Sequence, residues 1–175
     1  MSVEISHEAR PQSIPGMTTI YDEMVHGEVY YEPRYPHIRY FKDGGEYIIN
    51  GLKTLVIGGA YSVDKYYRLA NHFTWYADGQ LTKDEMKKIS KKIYGKSYAC
   101  VLTHTCPIRW EPFDLFLESV DQSTVEDDME WWLQFIADSE IEWGHWYFGH
   151  FHANRDMVGN TVTMLFEEVR PFGEY

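Results

Sequence analysis

The sequence predicts a layered α/β domain, and three observations point to that class. An Asn-Gly turn joins two apolar runs at 46–49 and 52–57, which is the strongest short signal for a β-hairpin because both turn positions need φ above zero. Strand-like and helix-like segments alternate after the hairpin. Loops that carry histidines follow the ends of two predicted strands. The chain is long enough for one ordinary core, so residues 1–175 are predicted to form a single domain.

Five further strands are predicted from runs of apolar and β-branched residues. They are expected over 28–31, 37–41, 97–103, 143–148 and 161–169, with a turn region at 154–159. The runs at 52–57 and 99–102 are predicted to be buried on both faces, as strands are in a sheet that is covered on both sides.

Three helices are predicted from capping residues and apolar spacing. Thr82 and Glu85 form a capping box for a helix over about 82–94. Asp64 is expected to cap a short helix that ends near residue 70. Ser123, with Glu126 three residues later, is expected to cap a helix over about 124–139 whose apolar residues face inward.

Composition limits the possible partners and the cellular compartment. The net charge of −11, from 27 acidic and 16 basic residues, argues against broad contact with a nucleic-acid backbone. It leaves room for a small phosphate ester that is bound through divalent cations, which bring their own positive charge. Cys100 and Cys106 are expected to be reduced thiols. No apolar run reaches the length of a membrane span and no signal peptide is evident, so the expected location is the cytoplasm.

Three histidines stand at predicted strand-to-loop junctions. His104 directly follows the apolar strand at 97–103, and His150 and His152 follow the strand at 143–148. In an extended segment residues two apart point to the same side, so both imidazoles of the second pair could converge on one site. Imidazole nitrogen suits Zn, Mn, Fe or Ni. The alternative is that these are hydrogen-bonded histidines of the core or polar residues at strand ends. His26, His37, His72 and His145 are expected to be surface or packing residues.

Four segments carry a family resemblance. The segment 101–107, Val-Leu-Thr-His-Thr-Cys-Pro, and the Gly-His-x-His segment at 149–152 resemble the C-terminal metal motifs of calcineurin-like metallophosphoesterases. The segment 7–11, His-Glu-Ala-Arg-Pro, resembles the continuation of that family's Gly-Asn-His-Glu motif. The segment 58–65, Gly-Gly-Ala-Tyr-Ser-Val-Asp-Lys, looks like a loop of a bacterial and phage subgroup. The chain therefore resembles the C-terminal part of this family.

The resemblance implies a fold and a site. The fold would be part of an αββα sandwich, in which mixed sheets are flanked by helices and the N-terminal portion is lacking. His104 and His150 would bind one divalent metal, Mn, Zn, Fe or Ni, and His152 would bind the second of the family's two. His7 would be the general acid. Asp64 and Arg68 would contact the substrate.

The resemblance also implies a function, hydrolysis of phosphomonoesters or phosphodiesters at a two-metal site. The Asn ligand that precedes the family histidine is replaced by Ser6, and the Asp-x-His and Gly-Asp-x-x-Asp motifs are absent from the sequence. Activity of this chain alone is therefore expected to be weak or absent. Two alternatives stay open: a non-catalytic remnant that acts as a folded binding protein, and half of a split enzyme that another chain completes. Exposed strand edges would favour self-association or such a complementing chain.

Overall fold

A computed structural model describes residues 2–3 and 10–173 of the chain. The strands are β1 (Ser2–Val3), β2 (Thr18–Asp22), β3 (Gly27–Tyr31), β4 (Ile38–Phe41), β5 (Gly45–Ile49), β6 (Leu52–Ile57), β7 (Lys96–Thr103), β8 (Ile141–Phe148), β9 (Arg155–Met157) and β10 (Val162–Met164). The α-helices are α1 (Lys65–Ala70), α2 (Lys83–Ile93) and α3 (Asp128–Phe135), and a π-helical turn, Ile136–Glu140, extends α3. This mixture confirms the α/β class.

In the part of the chain that the structure describes, ten strands form two sheets. The smaller sheet has the order β1-β4-β3-β2, and the larger has the order β5-β6-β7-β8-β10-β9. In the larger sheet β6, β7, β8 and β10 run parallel, while β5 and β9 pair antiparallel at its two borders. Because β6, β7 and β8 are parallel, their C-terminal ends meet along one side of the sheet, called here the carboxyl edge. Ligands bind at this edge in open α/β sheets.

The larger sheet is buried on both faces, as predicted for its central strands. On one face α2, α3 and the strands enclose a core that includes Leu133 and Trp146. On the other face the smaller sheet packs against it around Val29, Tyr47 and Val56. Apolar burial of this kind is worth about 25 cal/mol per Å², so the two cores hold the layers together.

The two strongest local predictions are confirmed. Strands β5 and β6 pair antiparallel across the Asn50-Gly51 turn, and both turn residues have positive φ, 50° and 77°. At the start of α2 the backbone N–H of Glu85 donates to the Thr82 side chain, and the Glu85 carboxylate accepts from the Thr82 backbone. These contacts satisfy donors that a helix start leaves free.

The third predicted helix is shorter than expected. It begins at Asp128 instead of near residue 124, and Ser123 does not cap it. The side chain of Asp121 instead accepts from the backbone N–H of Ser123 at 3.0 Å and holds residues 122–124 in a 3-10 turn. A local side-chain contact therefore competes successfully with helix formation, as Asp commonly does.

Two other predicted features differ in detail. The strand expected over 161–169 ends at Met164, because the Asn154 side chain accepts from the backbone N–H groups of Phe166 and Glu168 and turns the chain away. The region 154–159, expected to be a turn, contains the short strand β9. The strand β2 was not predicted from the sequence.

The structure also bears on the cysteines and on membrane insertion. Cys100 and Cys106 are both buried and unbonded, as predicted for reduced thiols. Of the helices in residues 2–3 and 10–173, none has the length and apolar character that a bilayer crossing requires.

Candidate metal centre

Two of the three predicted metal ligands meet at the carboxyl edge. His104 follows β7 and His150 follows β8, and the two strands are parallel neighbours. The main chain fixes both positions, because the N–H of His104 donates to the Ile57 carbonyl at 3.2 Å and the N–H of Gly149 donates to the His104 carbonyl at 3.0 Å. The sheet thus brings together residues that are 46 positions apart in sequence.

The side chains of these two histidines face each other. Nε2 of His104 and Nδ1 of His150 lie 3.2 Å apart, and both residues are partly buried. Two nitrogens that bind one tetrahedral metal at 2.0–2.1 Å are about 3.3 Å apart. The observed separation therefore fits two ligands of a single cation. In a metal-free state the same separation fits a hydrogen bond from one neutral imidazole to the other.

The backbone at His150 is unusual. Its φ is +68°, and the N–H of Phe151 donates to the Gly149 carbonyl at 2.8 Å, which closes a γ-turn around His150. Turns of this kind with positive φ are rare and strained for residues other than glycine. A backbone held in such a region costs about 1–3 kcal/mol and is found preferentially at functional sites. The His150 ring that this turn presents lies beside the His104 ring, with the centroids 5.1 Å apart.

His152 is placed differently. Its φ is also positive, +53°, so the segment from Gly149 to His152 is not extended, and the expectation that both rings point to one side for that reason is wrong. The His152 ring is exposed and stacks on Phe166, with the centroids 4.6 Å apart. Across the part of the chain that the structure describes, no group of three or more His, Cys, Asp or Glu side chains is arranged to hold a metal ion. The structure therefore brings together His104 and His150 without His152.

Buried hydrogen bonds support His104 from both sides. The Trp146 indole N–H donates to the Thr103 hydroxyl at 2.8 Å, and the Thr105 hydroxyl donates to the Glu130 carboxylate at 2.8 Å. Thr103 and Thr105 are both buried. These bonds hold the residues on either side of His104 and so restrict the main chain that carries it. The loop after β7 is consequently tied to β8 on one side and to α3 on the other.

Glu130 is a buried carboxyl group that the sequence analysis missed. It is 5% exposed, and its second oxygen, Oε2, has no hydrogen-bond partner among the described residues. Burial raises the pKa of Glu130 to about 7. Burial, together with the charges of Glu130 and Asp127, also raises the pKa of Glu111 to about 7. The sequence feature that could have indicated its burial is that Glu130 lies on α3 between Met129 and Leu133, which both face the core.

Cys106 does not supply a reactive thiolate beside His104. The thiol is fully buried, and burial raises its pKa well above the ordinary value, with the negative charges of Glu111 and Glu130 acting in the same direction. A cysteine acts as nucleophile or metal ligand through its thiolate. Cys106 therefore contributes to packing.

The loop after β6 lies at the same edge, beside the loop that carries His104. Arg10 donates through Nη1 to Asp43 at 2.8 Å, and the other carboxylate oxygen of Asp43 accepts from the backbone N–H of Gly58 at 2.7 Å. Gly59 has φ +90°, and a Cβ there would lie 2.8 Å from the Gly79 carbonyl oxygen. Only glycine fits this close approach.

The predicted substrate residues lie on α1, beyond this loop. Asp64 occupies the cap position, but its carboxylate accepts from Arg68 Nε at 2.6 Å and makes no capping bond to the helix backbone. The expected side-chain cap is therefore wrong, while the two residues do lie together beside an open pocket. His7, the predicted general acid, lies outside the described residues.

Comparison with known proteins does not extend this picture. The chain matches no protein-family model, no curated protein and no solved structure.

Proposed function

We propose that this chain carries the two-histidine part of a divalent-metal site of a phosphoester hydrolase of the calcineurin-like kind, within a partial αββα sandwich. The observation that supports the proposal is the 3.2 Å separation of the His104 and His150 ring nitrogens at the carboxyl edge. The sequence resemblance at 101–107 and 149–152 points to the same residues. A divalent metal held there supplies Lewis-acid polarisation of a phosphoryl oxygen.

The protein's own contribution is to hold the ligands in place. The sheet fixes the two strand ends, the γ-turn presents His150, and the buried threonines on either side of His104 restrict its loop. A preorganised site loses little freedom when a substrate binds. By resemblance, His152 would contact a second metal and His7 would protonate the leaving oxygen.

Metal-dependent turnover of p-nitrophenyl phosphate and bis(p-nitrophenyl) phosphate tests the proposal. We expect slow hydrolysis with Mn²⁺ or Zn²⁺, because the bridging aspartate of the family is absent from the sequence. The activity should disappear in a variant that combines His104→Gln with His150→Asn. Asn tolerates positive φ, so it removes the imidazole without disturbing the turn. Turnover that needs no metal, or that survives in this double variant, would refute the assignment. Robust metal-dependent turnover that His7→Ala abolishes would instead show a complete site.

A second candidate is a folded binding protein with one weakly held metal and no catalysis. The observation that favours it is that no third histidine or acidic side chain joins the histidine pair within residues 2–3 and 10–173. One bound metal or none, without turnover under any condition, would support this candidate. Two bound metals, with turnover only after a second chain is added, would support a split enzyme.

A further inference from the structure

An open pocket of about 490 Å³ lies beside α1. It is lined by Asp64, Tyr67, Arg68, Phe73, Thr74 and Tyr76. The chain enters α1 directly from the loop after β6, so α1 begins on the side of the fold where β6, β7 and β8 end. The histidine pair stands at the ends of β7 and β8, on the same side as the start of α1.

The pocket is rich in exposed aromatic rings. Three of its six lining residues, Tyr67, Phe73 and Tyr76, are aromatic. Tyr67 is 63% exposed and Phe73 is 56% exposed, and their ring centroids lie 6.1 Å apart. Rings of this size are normally buried, so a group of them that remains open to solvent indicates a binding surface.

The guanidinium group of Arg68, which also lines the pocket, is held in place by two hydrogen bonds. Nε of Arg68 donates to the Asp64 carboxylate at 2.6 Å, and Nη1 donates to the Thr74 carbonyl at 3.1 Å. Two contacts on different sides hold the planar group in one orientation. A held guanidinium plane stacks well on aromatic ligands, and nucleic-acid bases are recognised by stacking on such planes and on aromatic rings.

The charge of the segment 61–76 also distinguishes it from the rest of the chain. Within residues 61–76 the charged side chains are Asp64, Lys65 and Arg68, so the segment carries one net positive charge in a chain of net charge −11. The Lys65 ammonium lies 4.6 Å from the Trp75 ring centroid. Because the Arg68 charge is already paired with Asp64, the pocket is better suited to a planar base than to a phosphate group.

We propose that this pocket binds the base of a nucleotide, with the base stacked among Tyr67, Phe73 and the Arg68 plane and its polar edge against oxygens of Asp64 and Thr74. The substrate class that follows, a mononucleotide whose phosphate reaches the histidine pair, rests on the proposed hydrolase function. The base-binding pocket itself does not depend on the hydrolase function.

Calorimetric titrations in the presence of EDTA test base binding separately from hydrolysis. Adenosine 5′-monophosphate and adenosine should both bind, whereas ribose 5-phosphate should show no saturable binding at the same concentrations. Equal binding of ribose 5-phosphate, or no saturable binding of adenosine 5′-monophosphate up to millimolar concentration, would overturn the proposal. A thymidine decamer that binds more than tenfold tighter than thymidine 5′-monophosphate would overturn the mononucleotide class.

Matched variants locate the site. Phe73→Leu and Tyr67→Leu keep an apolar side chain and remove the ring, and each should weaken adenosine 5′-monophosphate binding about tenfold, since loss of one stacking partner has an effect of this order. Phe113→Leu is the control, because Phe113 is similarly exposed, at 65%, and does not line the pocket. Circular dichroism verifies that each variant is folded. Unchanged affinity in both pocket variants would refute the location.

The histidine pair provides the second control. The variant with His104→Gln and His150→Asn should bind adenosine as tightly as the unchanged protein in EDTA, because adenosine has no phosphate that could contact the histidine pair. If no turnover is detected but the pocket variants bind the base more weakly, the base-binding pocket is supported and the hydrolase function is refuted. If the double variant loses base binding, the pocket is not the binding site.

Discussion

Glu130→Gln should stabilise the protein at alkaline pH, because it removes a buried charge. Burial raises the pKa of Glu130 from 4.5 to about 7, and within residues 2–3 and 10–173 only one of its two oxygens accepts a hydrogen bond, from Thr105. A tenfold change in proton affinity corresponds to about 1.4 kcal/mol. The ionised carboxylate therefore costs the folded state about 3 kcal/mol, and the neutral amide avoids that cost while its oxygen still accepts from Thr105.

The pH window follows from the two pKa values. Below pH 4.5 the carboxyl group is protonated in both the folded and the unfolded chain, and it adds no cost. As the pH rises from 4.5 to about 7, the unfolded chain releases the proton first, and the folded state loses stability relative to it. Above about pH 7 both states are ionised and the full cost is present. The variant should therefore differ least from the unchanged protein near pH 4.5 and most at pH 8.

Urea denaturation at pH 5 and pH 8 measures this effect. The free energy of unfolding of Glu130→Gln should exceed that of the unchanged protein by about 3 kcal/mol at pH 8 and by less than about 1 kcal/mol at pH 5. Glu118→Gln removes the same charge from an exposed position and should change stability by less than about 0.5 kcal/mol at either pH. A Glu130→Gln variant that is less stable than the unchanged protein at pH 8 would refute the reasoning.

Three further predictions concern packing and association. Gly59→Ala should cost at least about 2 kcal/mol of unfolding free energy, since its Cβ would meet the Gly79 carbonyl at 2.8 Å. Gly51→Ala should cost only the backbone strain of about 1–2 kcal/mol, because no described atom beyond its chain neighbours lies within 4 Å of the added Cβ. Equal losses in urea denaturation would contradict this. Trp146→Phe should cost about 2–3 kcal/mol, because it leaves the buried Thr103 hydroxyl without its indole donor and opens space in the core; a loss below 1 kcal/mol would contradict this. The chain should self-associate in sedimentation experiments, and more strongly at high salt, because salt screens the repulsion that arises from the net charge of −11. A compact monomer at every salt concentration, without binding of a hydrophobic dye, would contradict this.

The parts of the fold that the sequence predicted are those with a complete local cause. The hairpin needed only Asn50-Gly51 between two apolar runs, and α2 needed only its capping box. Both are specified by residues within a few positions of one another. The predicted start of α3 was wrong because two capping signals competed: the Asp121 side chain holds Ser123 in a turn, so Ser123 does not cap a helix. Sequence spacing alone does not show which of two adjacent caps forms.

The sequence indicated the two histidines that meet at the carboxyl edge, but not the geometry around them. The strand pattern put His104 and His150 after the ends of two predicted strands, and the structure shows that these strands are parallel neighbours. The separation of His152 depends on positive φ values at 150 and 152, and nothing in a His-x-His pattern reveals a γ-turn. Glu130 was missed because its burial depends on the packing of α3 against the loop after β7. Such contacts arise from tertiary structure.

The most direct test of the central interpretation is a Zn²⁺ titration in competition with a chelator. The unchanged protein should bind Zn²⁺ at pH 7.5, and binding should weaken below about pH 6, because imidazole must be neutral to bind a metal. His104→Gln and His150→Asn should each lower the affinity at least tenfold. His26→Asn should leave it unchanged, since His26 also has positive φ, at 50°, and lies on the smaller sheet's β2–β3 connection. Unchanged Zn²⁺ affinity in the variant that combines His104→Gln with His150→Asn would contradict the account.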